Sequence, residues 1–196
     1  MSKEVRNTLL MTAFALIFGL VLGVVHEITA GPIEAQKEKA LKEAYQAVVP
    51  DATEFNDLGA TPEGAAEVIA DGDYNAEITS VLEAVADDMA VGYVINVVSH
   101  GGYGGDIAFS MGVDEGGSIL GISITSIAET PGLGMRAQTD PDWLPQFYGK
   151  EPGTTFTLGE NVDSITSATF TSRCVTRGVN AGLAYVDYVL GGGEIK

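Results

Sequence analysis

Cysteine is nearly absent from this chain of 196 residues, since Cys174 is the only one. No disulfide can form within the chain, so packing alone must hold the fold together. A CxxC motif, a covalent haem attachment site and a cysteine-ligated iron–sulfur cluster are excluded within the chain for the same reason. A redox centre here would be an organic cofactor or a group supplied by a partner.

Basic residues and histidines are also scarce. The chain has 10 Lys and Arg against 27 Asp and Glu, a formal net charge of -17. Such a chain repels the phosphates of nucleic acid, so we predict no nucleic-acid partner. The two histidines, His26 and His100, are far apart in sequence. We therefore predict no metal site and no catalytic triad.

One long apolar run, residues 8–25, carries no charge. As a helix it would rise about 27 Å, close to the hydrocarbon core of about 30 Å. It predicts a transmembrane helix within residues 1–30, surrounded by membrane lipid. Lys3 and Arg6 favour a cytoplasmic N-terminus, which makes this a single-pass protein of the cell (inner) membrane with an extracytoplasmic domain. A cleaved signal peptide is the alternative, although residues 28–30 form a poor cleavage site.

Beyond the span, the sequence predicts two further parts. Residues 31–50 form a charged connecting helix that opens at Pro32. Residues 51–196 form the soluble domain, which begins with a loop and one short helix over 51–75.

The soluble domain shows strand signals followed by helix signals. Strands are predicted over 78–86, 92–99, 107–113 and 118–127, with the four-residue hairpin loop 114–117 between the last two. A last strand is predicted at 156–158, after a loop whose aromatic residues anchor it to the core: Trp143, Phe147 and Tyr148. The fold class is therefore α+β, an antiparallel sheet with flanking helices.

A polar segment, residues 163–169 with the sequence DSITSAT, precedes apolar residues at helical spacing. Thr169 would then lie within one turn of a helix N-terminus, where free N–H groups and the macrodipole favour an anion. Arg173 and Arg177 add two cations on one helix face. Ordinary N-cap chemistry explains the same polar residues without any ligand.

Two glycine-rich segments lie upstream. Residues 102–107 read GYGGDI, and residues 129–134 read ETPGLG directly after a predicted strand. Glycines let backbone approach a flat ligand closely, although a strand-ending turn has the same composition. Neither segment is a dinucleotide fingerprint, because a strand rather than a helix follows 102–107.

Taken in order, the three segments resemble the FMN-binding domain family. Residues 163–169 are similar to the Asp-x-x-(Ser/Thr)-Gly-Ala-Thr motif, in which a flavin transferase transfers FMN from FAD to the last threonine. Ser167 stands where that motif has glycine, a difference that matters if the position needs a positive φ. With the membrane segment and the chain length, the sequence from about residue 8 to 190 resembles the RnfG family of the Rnf electron-transport complex.

The resemblance implies a covalent FMN, held through a phosphoester on Thr169. Residues that would present Thr169 to the transferase are Asp163, Thr166 and Ala168. Residues that would contact the cofactor are Glu129, Thr130, Gly132, Leu133, Thr166, Ser167 and Ala168. Arg173 or Arg177 would help to hold the phosphate.

The function implied is electron transfer. The chain would be a redox subunit of a membrane-bound, ion-translocating ferredoxin:NAD oxidoreductase, rather than a stand-alone enzyme, with no catalytic residue of its own. Its partners would be the other membrane subunits of the complex and the flavin transferase. Three alternatives remain open: an FMN carrier like the NqrC protein of the sodium-pumping quinone reductase, a membrane-tethered FMN-binding sensor, and an anchored acidic binding domain without cofactor.

Overall fold

A computed structural model describes residues 3–58, 72 and 74–190. The chain divides into two compact units, Met1–Leu41 and Lys42–Lys196. The fold class predicted from the sequence is confirmed: a long apolar N-terminal helix precedes an antiparallel sheet with helices.

The first helix, α1, spans Lys3–Val48 without a break. Its apolar section is exposed throughout, as expected for a surface that meets lipid, and within the described residues it is the one helix long and apolar enough to cross a membrane. The prediction of a separate helix opening at Pro32 differs from the structure, which has Pro32 inside α1. Proline removes one helical N–H, but strong helix formers such as Glu34, Ala35 and Gln36 follow it and continue the helix.

The sheet has five antiparallel strands in sequence order. They are β1 (Glu54–Asp57), β2 (Ala76–Ala86), β3 (Met89–Ser99), β4 (Ile107–Val113) and β5 (Ile119–Ser126). Four strands match the predictions, β4 at both ends. The sequence analysis missed β1, which it interpreted as loop; the short helix predicted in the same region falls largely on residues outside the described ones.

One face of the sheet packs against the last helix, α3, which spans Thr169–Leu190. Phe109, Met111 and Val179 belong to this core and are fully buried. Burying each of these side chains contributes about 1.5–3 kcal/mol. The helix approaches closely because Gly178 leaves room for the Phe109 ring, which would lie 2.8 Å from a Cβ there.

The opposite face of the sheet receives the C-terminal end of α1, from Lys42 onward. Val48 and Val49 are buried there beside Leu82 and Val94. A polar group lies within this contact: Asn96 donates to Tyr45 Oη at 3.0 Å and to Ser80 Oγ at 2.8 Å, and accepts from Ser110 Oγ at 2.6 Å. Because every one of these hydrogen bonds depends on direction, the network fixes the register of the helix end on the sheet.

Residues 127–168 form a loop-rich layer with the short helix α2 (Arg136–Thr139) and a 3-10 turn (Leu144–Phe147). Trp143, Phe147 and Phe156 are buried in edge-to-face contacts, with ring centroids 5.7 and 4.9 Å apart. These rings anchor the loop, as predicted. The strand predicted at 156–158 is wrong: only an isolated bridge, Leu158 with Val162, forms there.

The layer also covers the free edge of β5. Gln138 Nε2 donates to the Ile124 carbonyl at 3.0 Å, and the Gly149 N–H donates to the Ile119 carbonyl at 2.8 Å. The Tyr148 hydroxyl lies 3.3 Å from the Ile122 nitrogen. These contacts satisfy edge groups that would otherwise be open to another chain.

Candidate functional site

A cleft of about 410 Å³ lies where α3 begins, beside the loops that follow β3 and β5. Its lining residues are Tyr103, Glu129, Thr130, Leu133, Gly134, Ser167, Ala168, Thr169, Phe170 and Thr171. A cleft of this size is within the range of small-molecule sites, about 300–1,000 Å³. The fold therefore brings all three sequence motifs, which are far apart along the chain, to one place.

Glu129 is the centre of this arrangement. It is only 6% exposed, and its Oε1 accepts from the backbone N–H groups of Tyr103 at 2.8 Å and Gly104 at 3.2 Å. Two backbone N–H donors to one carboxylate oxygen are charge-assisted hydrogen bonds. Glu129 thus ties the β3–β4 loop to the loop after β5 and fixes one wall of the cleft.

The glycines of the two motifs are required by this carboxylate. A Cβ at Gly134 would lie 2.6 Å from Glu129 Oε2 and 2.6 Å from Thr171 Oγ1. At Gly102 it would lie 2.7 Å from Glu129 Oε1. A side chain at Gly104 would overlap the Ala128 carbonyl oxygen. The glycines therefore let backbone close around Glu129, which is a packing reason for their spacing.

The loop after β5 is held in a tight turn by its own backbone. The N–H groups of Leu133 and Met135 donate to the Thr130 carbonyl at 3.1 and 3.2 Å, and Gly132 has a φ of 77°. Leu133 is 42% exposed at the cleft. The turn thus presents an apolar side chain to whatever the cleft holds.

The segment 163–169 forms a second, rigid turn. The Ala168 N–H donates to the Ile165 carbonyl at 2.9 Å, and Ser172 Oγ accepts from Ile165 N–H at 2.9 Å while donating to the Ala168 carbonyl at 3.0 Å. Ile165 and Ala168 are buried. Ser167 has a φ of 65°, the left-handed conformation that favours glycine. The position where the family motif has glycine is therefore one that needs positive φ.

Thr169 is the first residue of α3, and it is exposed at the cleft. Ala168 immediately before it has no polar side chain, so that residue cannot cap the helix. The N–H groups of the first turn and the positive end of the helix dipole thus favour an anion beside Thr169.

The remaining predicted residues are placed differently. Gly132 and Thr166 belong to the two turns but are not among the residues that line the cleft. Asp163 is exposed, and its backbone is held by Trp143 and Gln146. Arg173 is exposed, also outside the lining, while Arg177 Nη2 donates to the His100 carbonyl at 2.9 Å. Arg177 is therefore engaged at the end of the sheet.

The structure adds lining residues that the sequence analysis did not predict as cofactor contacts: Tyr103, Gly134, Phe170 and Thr171. Tyr103 and Phe170 are 75% and 62% exposed, which is unusual for aromatic side chains. Phe170 lies outside the apolar stripe of α3, and that departure from the helical pattern is the signal that would have found it.

The described residues include no group of three or more His, Cys, Asp and Glu that could hold a metal ion. His100 Nδ1 pairs with Asp106 Oδ2 at 3.0 Å at a partly exposed position in the β3–β4 loop. His100 therefore has a local partner of its own, away from the cleft lining.

Two family models match this chain. Residues 1–48 match the RnfG N-terminal region, and residues 102–184 match the FMN-binding domain. The second match contains every residue that lines the cleft. The domain is thus of the FMN-binding type.

Curated relatives match nearly the whole length. The G subunit of a Na(+)-translocating ferredoxin:NAD(+) oxidoreductase complex from Acetobacterium woodii is 31% identical over 89% of this chain and 87% of its own. The G subunit of an ion-translocating oxidoreductase complex from Cereibacter sphaeroides is 32% identical over 95% of this chain and 85% of its own. The proton-translocating counterpart from Clostridium ljungdahlii is 29% identical over 96% and 93%.

A solved structure with a partial likeness is Shewanella oneidensis NqrC, at 23% identity and a TM-score of 0.46 over 57% of this chain and 59% of its own. The two family models and the full-length relatives agree with the order of helix, sheet and cleft described above. The chain therefore belongs to the RnfG family, whose members are the G subunits of ion-translocating oxidoreductase complexes.

Proposed function

We propose that this chain is the electron-carrying subunit of a membrane-bound ferredoxin:NAD oxidoreductase complex of the Rnf type, and that it holds FMN through a phosphoester on Thr169. The observation that carries the proposal is the position of Thr169. It is exposed at the start of α3 and borders a cleft whose other walls are the two glycine-rich loops. A buried threonine would have contradicted the proposal.

The cleft fits a flavin mononucleotide in three respects. Its volume of about 410 Å³ suits a tricyclic ring that remains partly exposed. Its lining combines apolar side chains, Leu133 and Phe170, with the hydroxyls of Thr130 and Thr171. The phosphate would lie at the helix N-terminus, which favours an anion. Because no lining residue is cationic, the helix end rather than an arginine would be the main phosphate contact.

Bound FMN supplies the redox chemistry, accepting electrons from one centre and passing them to another. The chain supplies position. Glu129 keeps the two glycine-rich loops together, Leu133 and Phe170 are placed to contact the ring, and the rigid turn 163–169 fixes the attachment point. An open cleft leaves part of the ring accessible to a neighbouring redox centre.

The apolar section of α1 anchors the protein in the cell membrane. Lys3 and Arg6 before it favour a cytoplasmic N-terminus, which puts the domain from residue 51 onward outside the cytoplasm. A covalent bond suits that location, because a dissociated cofactor would be lost there. The partners on this proposal are the other membrane subunits, the flavin transferase and membrane lipid.

Denaturing electrophoresis tests the attachment. We expect the full chain, produced together with a flavin transferase, to give a fluorescent band that Thr169→Ala abolishes and Thr169→Ser retains. Mass spectrometry of the peptide that contains Thr169 should show the added mass of FMN on that residue. Fluorescence that persists in Thr169→Ala, or an unmodified peptide from the wild type, would refute the proposal.

Copurification tests the role in a complex. Wild-type chain extracted with detergent from its native membrane should bring several redox subunits with it. A chain that carries FMN yet copurifies with no redox protein would instead be a tethered sensor.

A further inference from the structure

Asp163 begins the segment 163–169, and both of its backbone polar groups are bound by side chains from another part of the chain. Trp143 Nε1 donates to the Asp163 carbonyl at 2.7 Å, and the Asp163 N–H donates to Gln146 Oε1 at 2.8 Å. Gln146 is itself held, since its Nε2 donates to the Trp143 carbonyl at 3.0 Å. Asp163 is thus fixed by two residues 17 and 20 positions upstream.

These two residues are rigidly supported. Trp143 is buried against Phe147, and Phe147 in turn against Phe156. The carboxylate end of the segment is therefore connected to the core through a stack of aromatic rings. The threonine end is fixed separately by Ser172, through its hydrogen bonds with Ile165 and Ala168.

Between the two fixed ends, burial follows a pattern that exposes the polar residues. Ile165 and Ala168 point into the core, whereas the exposed residues are Asp163, Ser164, Thr166, Ser167 and Thr169. The segment therefore displays a carboxylate and several hydroxyls in one fixed arrangement on the surface. An unfolded segment would sample many arrangements and present this one only rarely.

We propose that the flavin transferase recognises residues 163–169 as a preformed turn on the folded domain, with Trp143 and Gln146 as positioning residues for that recognition. This inference rests on the proposed function, since it assumes that Thr169 is the residue modified. In the transfer, Thr169 Oγ1 forms a bond to the FMN phosphorus of FAD as the pyrophosphate bond breaks. AMP leaves with that bond's electron pair, and the hydroxyl proton is released.

The proposal predicts a specific kinetic effect. If only a fraction of molecules holds the turn, the apparent affinity for the transferase falls by that fraction. Loss of one hydrogen bond to Asp163 should therefore raise KM for the chain by about tenfold. Because the bound complex has the same geometry, kcat should not change.

The test uses the full chain in detergent with purified transferase and FAD, and it measures the initial rate of FMN transfer against chain concentration. We compare wild type with Gln146→Ala and with Trp143→Phe, which keeps an aromatic ring but removes the N–H donor. Gln138→Ala is the matched control, since it removes a side-chain amide whose hydrogen bond, to Ile124, lies elsewhere. Thermal unfolding establishes that each variant is folded at the assay temperature.

A rise in KM for Gln146→Ala, with kcat unchanged and Gln138→Ala like wild type, supports the proposal. Equal KM values for wild type and Gln146→Ala would overturn it while leaving the proposed function intact. Wild-type chain that takes no FMN on Thr169 would instead refute the proposed function, and this inference with it. If Trp143→Phe does not fold, the partly exposed Gln146 still decides the question.

Discussion

The two ends of α3 border clefts of different character. At its start lies the cleft of about 410 Å³, lined by hydroxyls, glycines and the partnered carboxylate of Glu129. Toward its end lies a smaller cleft of about 120 Å³, lined mainly by aliphatic side chains such as Val81, Ile95 and Val186. The Tyr185 hydroxyl is buried there without a partner among the described residues.

The difference separates a built site from a packing gap. Around Glu129, backbone, glycine positions and hydrogen bonds all depend on one another, so the geometry is maintained even though loops form it. Around Tyr185 nothing comparable is present in the described part of the chain, and the polar atom is an isolated energetic cost. Substitutions at the two ends should therefore have opposite signs.

The largest effect is expected from Glu129→Ala. It leaves the buried N–H groups of Tyr103 and Gly104 without an acceptor, so unfolding free energy should fall by about 2–3 kcal/mol. Chemical unfolding of the full chain in detergent measures this. Glu129→Gln keeps one acceptor oxygen and should cost less; a Glu129→Ala protein as stable as wild type would remove the argument that Glu129 holds the site.

A smaller loss is expected midway along α3, where two glycines one turn apart form a matched pair. A Cβ at Gly178 would press on the buried Phe109 ring, whereas at Gly182 it would meet the flexible Met111 Cε. Gly178→Ala should cost about 1–2 kcal/mol, since overpacking outweighs the gain in helix propensity. Gly182→Ala should be close to neutral. The same unfolding assay compares them, and equal effects would contradict the assigned contacts.

At the far end of α3, Tyr185→Phe should stabilise the protein by about 1 kcal/mol, because it removes a buried hydroxyl that has no partner among the described residues. Tyr148→Phe is the contrasting change, since its hydroxyl contacts the Ile122 backbone. Thermal unfolding should rank Tyr185→Phe above wild type and Tyr148→Phe below it. A destabilised Tyr185→Phe would mean that the cleft holds a group bound to that hydroxyl.

The pH dependence sharpens the same point. Burial raises the pKa of Tyr185, so as pH increases the unfolded chain ionises first, from about pH 10. The stability contributed by the neutral side chain is therefore present below that pH and is lost as pH rises toward the folded pKa. Unfolding midpoints should decline less steeply in Tyr185→Phe than in wild type between about pH 9 and 11.

The smallest effect is expected at the attachment turn. Ser167→Gly relieves a left-handed backbone but makes the unfolded chain more flexible, so the net gain should stay below about 1 kcal/mol. Ser164→Gly, at a position without positive φ, should be neutral or slightly destabilising. Unfolding midpoints measured in parallel check both; a loss in Ser167→Gly would show that the serine side chain contributes more than the strain costs.

Much of this architecture could be predicted from local pattern. The bounds of β4 follow from its apolar residues and from the glycine-containing loop after it, and the start of α3 follows from the polar turn before its apolar stripe. β1 could not be found that way, because Glu54, Asn56 and Asp57 make an edge strand look like a loop. Its strand conformation depends on pairing with β2, which lies far along the chain.

The site was predictable as a set of motifs but not as a set of contacts. The family resemblance identified residues 129–134 and 163–169, and it correctly singled out Ser167 as sensitive to positive φ. It gave no reason for the glycines around Glu129, nor the hydrogen bonds from Trp143 and Gln146 to Asp163. Those contacts join residues 17 or more positions apart and exist only once the chain has folded.

The buried position of Cys174 has a practical consequence. Burial raises the pKa of its thiol, and its Sγ lies 3.3 Å from the Ser99 carbonyl oxygen inside the core. Since a thiolate is the reactive form, the native residue should be inert to maleimides while the protein is folded. A cysteine introduced on the surface would then be the single labelling point, so spin labels or fluorophores could report distances without first deleting the natural residue.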